Sequence, residues 1–299
     1  MSIRLNPNPL PDLLAAIQQS DQNMNTASQQ LSSGQSVNQL SDNPAAAASV
    51  VLNHNQASQD DQFLSNIGTL QPRFQVADST ISDIVTALTQ AISLGTEGAN
   101  GTLSANDRQA IAAQVQGIQT QVVGLANTTT QGGYLFSGTA VDTQPFTLDP
   151  TTGAVTYNGN TNVTSTELSN GNSINTNVPG SQLFLNPGGS VFTALQDLNS
   201  SLQSGNNIGT AVVEVQNALS TLDTQRVFYG NGLNEINTSE NFLNQDKINL
   251  STQENALIGA DPAAAASNLV QAQTDNQAIL SAAGRTLSLP NLLDYLPVP

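Results

Sequence analysis

Ile67-Gly-Thr-Leu70-Gln-Pro-Arg-Phe74-Gln-Val-Ala77-Asp-Ser-Thr-Ile81-Ser-Asp-Ile84-Val-Thr-Ala-Leu88-Thr-Gln-Ala91 decides the architecture of this chain. Its apolar residues Ile67, Leu70, Phe74, Ala77, Ile81, Ile84, Leu88 and Ala91 are spaced alternately by three and four, so all of them fall on one face of a helix. Sustained over this length, the spacing is a coiled-coil seam. After a break containing glycine, from Gly95 to Leu103, it returns at Ile111, Val115, Ile118, Val122 and Leu125, and the two stretches predict an antiparallel helical hairpin. In the second half Val212, Val215, Leu219, Leu222, Tyr229, Leu233, Ile236, Leu243, Leu250 and Leu257 fit one heptad frame. Arg226, Glu240, Lys247 and Glu254 fill its remaining seam slots, where polar residues cost stability but fix register.

Between these halves the chain changes character. Residues 134–189 are rich in Gly, Asn, Thr and Pro, and Phe146-Thr-Leu-Asp149, Pro150-Thr-Thr-Gly153, Ala154-Val-Thr-Tyr157 reads as strand, turn, strand. A small β-containing insert is expected there. Helix resumes near Val191, with Phe192, Leu195, Leu198 and Leu202 at helical spacing. Asp42-Asn-Pro-Ala-Ala-Ala-Ala-Ser49 and Asp261-Pro-Ala-Ala-Ala-Ala-Ser267 both place a capping residue before a proline and a run of strong helix formers, which marks two helix starts. The fold class is therefore mainly α: an elongated antiparallel coiled-coil rod built from the N- and C-terminal halves, with a small β-rich central insert.

Composition narrows the function. The 299 residues carry 22 acidic and 6 basic side chains, a formal charge of −16, so no cluster of cations exists to displace counterions from nucleic acid or an anionic membrane. Leu, Ile, Val and Phe make up about a quarter of the chain, enough for a packed core. Cysteine is absent, which removes disulfides, thiolate metal sites and a Cys nucleophile. Pro7, Pro9 and Pro11 interrupt the N-terminus where a secretory signal would need an unbroken apolar stretch. His54 is the single histidine, so neither a His-rich metal site nor a Ser-His-Asp arrangement finds its partners. Asp60-Asp61 and Asp42-Asn43 lack calcium-loop spacing and read as solvated faces and caps, and the Gly132-Gly133 and Gly188-Gly189 pairs read as hinges bounding the insert. No catalytic, cofactor or metal site is expected.

The extreme ends carry apolar stripes: Leu10, Leu13, Leu14, Ile17, Met24 and Leu31 at one, Leu269, Ala272, Ile279 and Ala283 at the other, continued by Leu287, Leu289, Leu292, Leu293 and Leu296. Isolated helices of this kind are marginal in water. The ends are thus expected to stay loose in the monomer and to order only against other copies, with Leu10, Leu13, Leu14, Ile17, Met24, Leu31, Leu269, Ala272, Ile279, Leu292, Leu293 and Leu296 as the assembly interface.

Leu31-Ser-Ser-Gly34, Val37-Asn38 and Ser41-Asp-Asn-Pro-Ala45 resemble the N-terminal signature shared by flagellins and the hook-filament junction proteins of the bacterial flagellum, the hook-associated protein three group. Asn100-Gly-Thr-Leu-Ser104, Asp107-Arg-Gln-Ala-Ile-Ala112, Leu125-Ala-Asn127 and Gly133-Tyr-Leu-Phe-Ser-Gly-Thr139 are similar to the junction members, as are the Gln271-containing helix, Gly284-Arg285 and the terminal Leu292-Leu-Asp-Tyr-Leu296. Pro7, Pro9 and Pro11 start the first helix later than this family does, and Ser36 stands where a basic residue is common.

The resemblance implies a structural part without enzymatic chemistry or cofactor, exported unfolded through the flagellar type III apparatus and located in the extracellular flagellum without a cleaved signal. It implies residues 1–40 with 262–299 as an inner coiled-coil assembly domain, 41–133 with 190–261 as a helical rod, and 134–189 as a β-rich insert facing outward. Its implied partners are copies of itself, hook-associated protein one, flagellin and a flagellar export chaperone, with no nucleic acid and no membrane. The alternatives are a flagellin, or a secreted enzyme or adhesin carried on a helical stalk.

Overall fold

The computed structural model describes residues 10–39 and 41–287. Along them run α1 (Leu10–Ser33), α2 (Pro44–Gly98) and α3 (Ala105–Ala126), then three hairpins: β1 (Thr129–Thr130) with β2 (Gly133–Tyr134), β3 (Phe146–Leu148) with β4 (Val155–Tyr157), and β5 (Ser165–Ser169) with β6 (Asn172–Asn175). A short α4 (Gly180–Phe184) leads to α5 (Val191–Ser204), α6 (Ile208–Ile258) and α7 (Pro262–Leu287). The fold is mainly α. Two compact units divide it, one of residues 59–245 and one of the described residues up to 58 together with those from 246 onward.

In the larger unit the seam predicted from Ile67 to Ala91 is buried at every position, with Phe74, Ile81, Ile84, Leu88 and Ala91 fully covered. They share one core with Ile111, Val115, Ile118 and Val122 of α3, Leu195, Leu198 and Leu202 of α5, and Val215, Leu222, Tyr229 and Ile236 of α6. Of the polar seam slots, Arg226 donates from Nε to Asp78 Oδ1 at 2.7 Å and from Nη2 to Oδ2 at 3.2 Å. Both partners are about one-third exposed, so this fork sets register between α2 and α6 and contributes at most about 1 kcal/mol.

Two features differ from the sequence reading. Gly95 does not break α2, which runs on to Gly98; a Cβ there would stand 2.7 Å from Val212 and 2.9 Å from Leu198, so glycine is needed for close approach of neighbouring helices. Gly189 is no hinge either, because its Cα packs against the backbone of Asn217 and Ala218. The break proper falls at Asn100–Ser104, where Ser104 accepts from the Asp107 N–H and donates its own N–H to the Asp107 carboxylate, a reciprocal cap for α3.

The expected strands at 146–149 and 154–157 form β3 and β4, paired antiparallel with Phe146 opposite Tyr157. This hairpin lies on the helices. Gln119 of α3 donates to Gly153 O and Gln196 of α5 to Thr152 O, while Asn127 both donates to Phe146 O and accepts from Phe146 N, standing in for a neighbouring strand. Phe146 meets Phe184 and Phe192 with ring centres 5.5 and 5.0 Å apart, and thereby joins the helical core.

Two expectations follow. Ile81→Asp, which buries an unpaired carboxylate at a fully covered position, lowers stability by at least about 3 kcal/mol in urea titration. Burial pushes the Tyr229 phenol well above its usual range, against the opposing influence of a backbone hydrogen bond from Val178 and of Arg73. Because the fold holds the neutral phenol, its contribution is complete below about pH 10 and is lost as pH climbs from there towards the folded value. Tyr229→Phe therefore shows a shallower alkaline fall in melting temperature than the unsubstituted chain.

Candidate assembly surface of the terminal helices

The smaller unit is organised by α1 and α7. Early residues of α1 such as Ala16 sit with late residues of α7 such as Ile279, and Gln30 sits with Asn268, so the two run antiparallel. Their contact follows a three-four spacing on both helices: Leu13, Ile17, Ser20, Met24 and Ala27 on α1, and Ala265, Leu269, Ala272, Asn276, Ile279 and Ala283 on α7. The buried members are all small: Ser20, Ala27, Ala265, Ala272 and Ala283. Ser20 Oγ donates to Ala272 O at 3.5 Å, and Asn276 Nδ2 donates to Asp21 Oδ1 at 2.8 Å. Small side chains let the helix axes approach, but they bury little area per residue.

Four larger side chains are left outside that seam. Leu14 is 59 % exposed, Leu31 42 %, Val270 62 % and Leu280 52 %. One flank of the pair is instead a polar groove of about 330 Å³ lined by Asn23, Thr26, Gln30, Asn268, Gln271 and Asp275. Helical spacing puts Leu14 and Leu280 on the opposite flank. Val51, Leu52 and Ile248 of the same unit stand exposed as well. Eight of the thirteen exposed large apolar side chains among the described residues belong to this smaller unit.

The connections at the base of this pair are fixed by backbone. Gly34 ends α1 with φ +70°, a conformation glycine adopts without strain, and Ser36 N and Oγ both donate to Ile258 O while Ala260 N donates to Gly34 O. Gln35 and Gly259 form an isolated antiparallel bridge there. Asn43 accepts from Ala46 N and Asp261 from Ala263 N, so both predicted caps form, and Asp42 accepts from Asn38 N and Gln39 N.

The predicted interface residues thus take different places. Ala272 is buried, Leu13, Ile17, Met24, Leu269 and Ile279 are half-buried between α1 and α7, and Leu14 and Leu31 face out. Leu10 begins α1, while Leu292, Leu293 and Leu296 lie outside the described residues. The expectation of unpaired ends is corrected in part, because the two stripes meet each other within one chain. The reading missed Ser20, Ala27, Val270 and Leu280; Ser20 and Ala27 complete the three-four spacing once small residues are counted as seam formers. His54 is exposed on α2 with Nε2 3.2 Å from Glu254 Oε1. Asp60, expected on a solvated face, is buried, because the α2 seam continues through it. Among the described residues no cluster of three His, Asp or Glu is placed to hold a metal, and no helix is long and apolar enough to cross a membrane.

The model of the bacterial flagellin N-terminal helical region matches residues 11–141, and that of the bacterial flagellin C-terminal helical region matches residues 212–296. Flagellar hook-associated protein 3 of Salmonella typhimurium is 28 % identical over 84 % of this chain and 86 % of its own length. Its counterpart of the same name in Escherichia coli is 37 % identical over 40 % of this chain and 38 % of its own. Among solved structures, the flagellar junction protein FlgL of Legionella pneumophila superposes with a TM-score of 0.62 at 15 % identity, covering 71 % of this chain and all of that one. Bacillus cereus FlgL gives 0.59 at 23 % identity over 68 % and 99 %. These two likenesses speak for the fold.

A substitution tests the small-residue seam. Ala27→Leu has no room where α1 meets α7 and is expected to part the two helices, seen as early protease cleavage in α1. The unfolding transition of residues 59–245 shifts by less than about 0.5 kcal/mol. An unchanged cleavage pattern contradicts the seam.

Proposed function

The chain belongs to the bacterial flagellin family, and from that premise we propose that it is the structural subunit joining the flagellar hook to the flagellin filament. The observation that carries the reading is the pairing of α1 with α7 through small residues while Leu14, Leu31, Val270 and Leu280 stay uncovered. A chain with apolar surface of this kind on both terminal helices gains by stacking against neighbours, and the acidic, weakly ionic remainder leaves nothing for nucleic acid or anionic lipid to hold. Support for the junction role, over that of a filament subunit, comes from the Salmonella relative, a hook-associated protein 3 aligned along most of both chains.

In this reading the stripes Leu10, Leu13, Leu14, Ile17, Met24 and Leu31, with Leu269, Ala272, Ile279, Leu292, Leu293 and Leu296, form the inner assembly layer. Residues 1–40 and 262–299 make that layer, 41–133 with 190–261 the rod, and 134–189 the insert. The subunit packs against copies of itself, sits on hook-associated protein 1 and receives flagellin above. It travels through the flagellar type III export apparatus with a chaperone over its C-terminal stripe. The work is done by packing, and its place is the extracellular flagellum.

Electron microscopy of a deletion strain tests the proposal. Loss of the junction leaves hooks without filaments and spills flagellin into the medium. Normal filaments on the mutant overturn it, and bare hooks with no flagellin released favour the filament-subunit reading.

A further inference from the structure

We propose that Asn100 is a site of self-catalysed deamidation, built by the turn that joins α2 to α3. The chain contains four Asn-Gly pairs, Asn100-Gly101, Asn158-Gly159, Asn170-Gly171 and Asn231-Gly232, the dipeptide in which the absence of a side chain after Asn lets the next backbone nitrogen reach the Asn side chain. The fold treats the four differently.

Asn231-Gly232 lies inside α6, with Gly232 pressed on Phe74, and the helix holds the Gly232 nitrogen away from the Asn231 side chain. At Asn158-Gly159 the backbone is wedged, since a Cβ on Gly159 would stand 2.7 Å from Ser137 O, and Asn158 Nδ2 donates to Thr147 Oγ1. Asn170-Gly171 caps the β5–β6 hairpin in open space, with no donor on the Asn170 side-chain oxygen among the hydrogen bonds of the described residues.

Asn100 alone combines exposure with activation. Asn100, Gly101 and Thr102 are exposed, and nothing crowds Gly101. Leu103 N donates to Asn100 O at 3.1 Å and closes the turn. On the Asn100 Oδ1 converge two donors, Thr102 N at 3.2 Å and Thr102 Oγ1 at 2.9 Å. They sit where negative charge develops when a nucleophile attacks Cγ, so the turn carries a small oxyanion hole.

The chemistry needs only water. The Gly101 amide nitrogen loses its proton to solvent base and forms a bond to Asn100 Cγ, and the electron pair of the C=O moves onto Oδ1 beneath the Thr102 donors. That pair returns as the Cγ–Nδ2 bond breaks, and ammonia leaves with a proton from water. Water then opens the five-membered imide at either carbonyl, giving aspartate or isoaspartate. One water is consumed and one ammonia released, and no redox partner takes part. The isoaspartate product lengthens the backbone by one carbon just before the Ser104–Asp107 cap of α3.

Peptide mapping of the purified full-length chain, aged at mildly alkaline pH, tests the assignment. The fragment between Arg73 and Arg108 is expected to gain the mass of an amide exchanged for a hydroxyl ahead of the fragments holding Asn158, Asn170 and Asn231. Thr102→Val, which keeps the N–H but removes the hydroxyl donor, slows the reaction at Asn100 by about tenfold, and Gly101→Ala slows it at least as much. In concentrated urea, where the turn is gone, the preference for Asn100 over Asn170 disappears. Modification of Asn170 first, an unchanged rate in Thr102→Val, or a preference that persists in urea overturns the proposal.

Discussion

A helix presents a given face only once, so the side chains it buries against its own chain are withdrawn from any neighbour. The two units spend that face differently. From Ile67 to Ala91 the α2 seam places Phe74, Ile81, Ile84 and Leu88 inside a shared core, where each large side chain contributes roughly 1.5 to 3 kcal/mol by leaving water. Between α1 and α7 the buried positions hold Ser20, Ala27, Ala265, Ala272 and Ala283, which contribute far less apiece. Leu14, Leu31, Val270 and Leu280 of these helices stay in solvent. One repeat is therefore written with large residues at the buried positions in one unit and small residues at the buried positions in the other.

That division suits a part that is completed by assembly. Polar links from Ser20 to Ala272 and from Asn276 to Asp21 help register the α1–α7 pair, and the Gly34–Ser36 and Ile258–Ala260 backbone bonds register its base. Such bonds orient the two helices without covering Leu14, Leu31 or Leu280. In the proposed assembly, covering them would fall to neighbouring subunits, and the ordering cost of the terminal helices would be met at the same step that joins the copies. The hairpin β3–β4 follows the opposite logic, since Phe146 and the glutamines Gln119 and Gln196 tie it to the helical core from within one chain.

Long apolar periodicity was the most legible feature. Every seam residue from Ile67 to Ala91 is buried, as are Ile111, Val115, Ile118 and Val122, because three-four spacing constrains which face can be covered whatever packs on it. The caps at Asn43 and Asp261 were equally readable, since short acceptors before proline have few other uses. Illegible were contacts that depend on fit: Gly95 looked like a break but makes room for Val212 and Leu198, and Asp60 looked solvated but continues a seam. Hairpin β5–β6 escaped notice because Ser165–Ser169 and Asn172–Asn175 lack the apolar alternation that marks a strand. At the terminal helices the leucines drew attention away from Ser20 and Ala27, the residues at which the helices meet.

Amide hydrogen exchange, followed residue by residue in the free chain and again in the assembled flagellar junction, tests most directly whether the terminal helices are completed by their neighbours. The account predicts that α1 and α7 exchange far faster than residues 67–91 in the free chain and become protected to a similar level once assembled. Protection of α1 and α7 in the free chain equal to that of residues 67–91, unchanged by assembly, would contradict it.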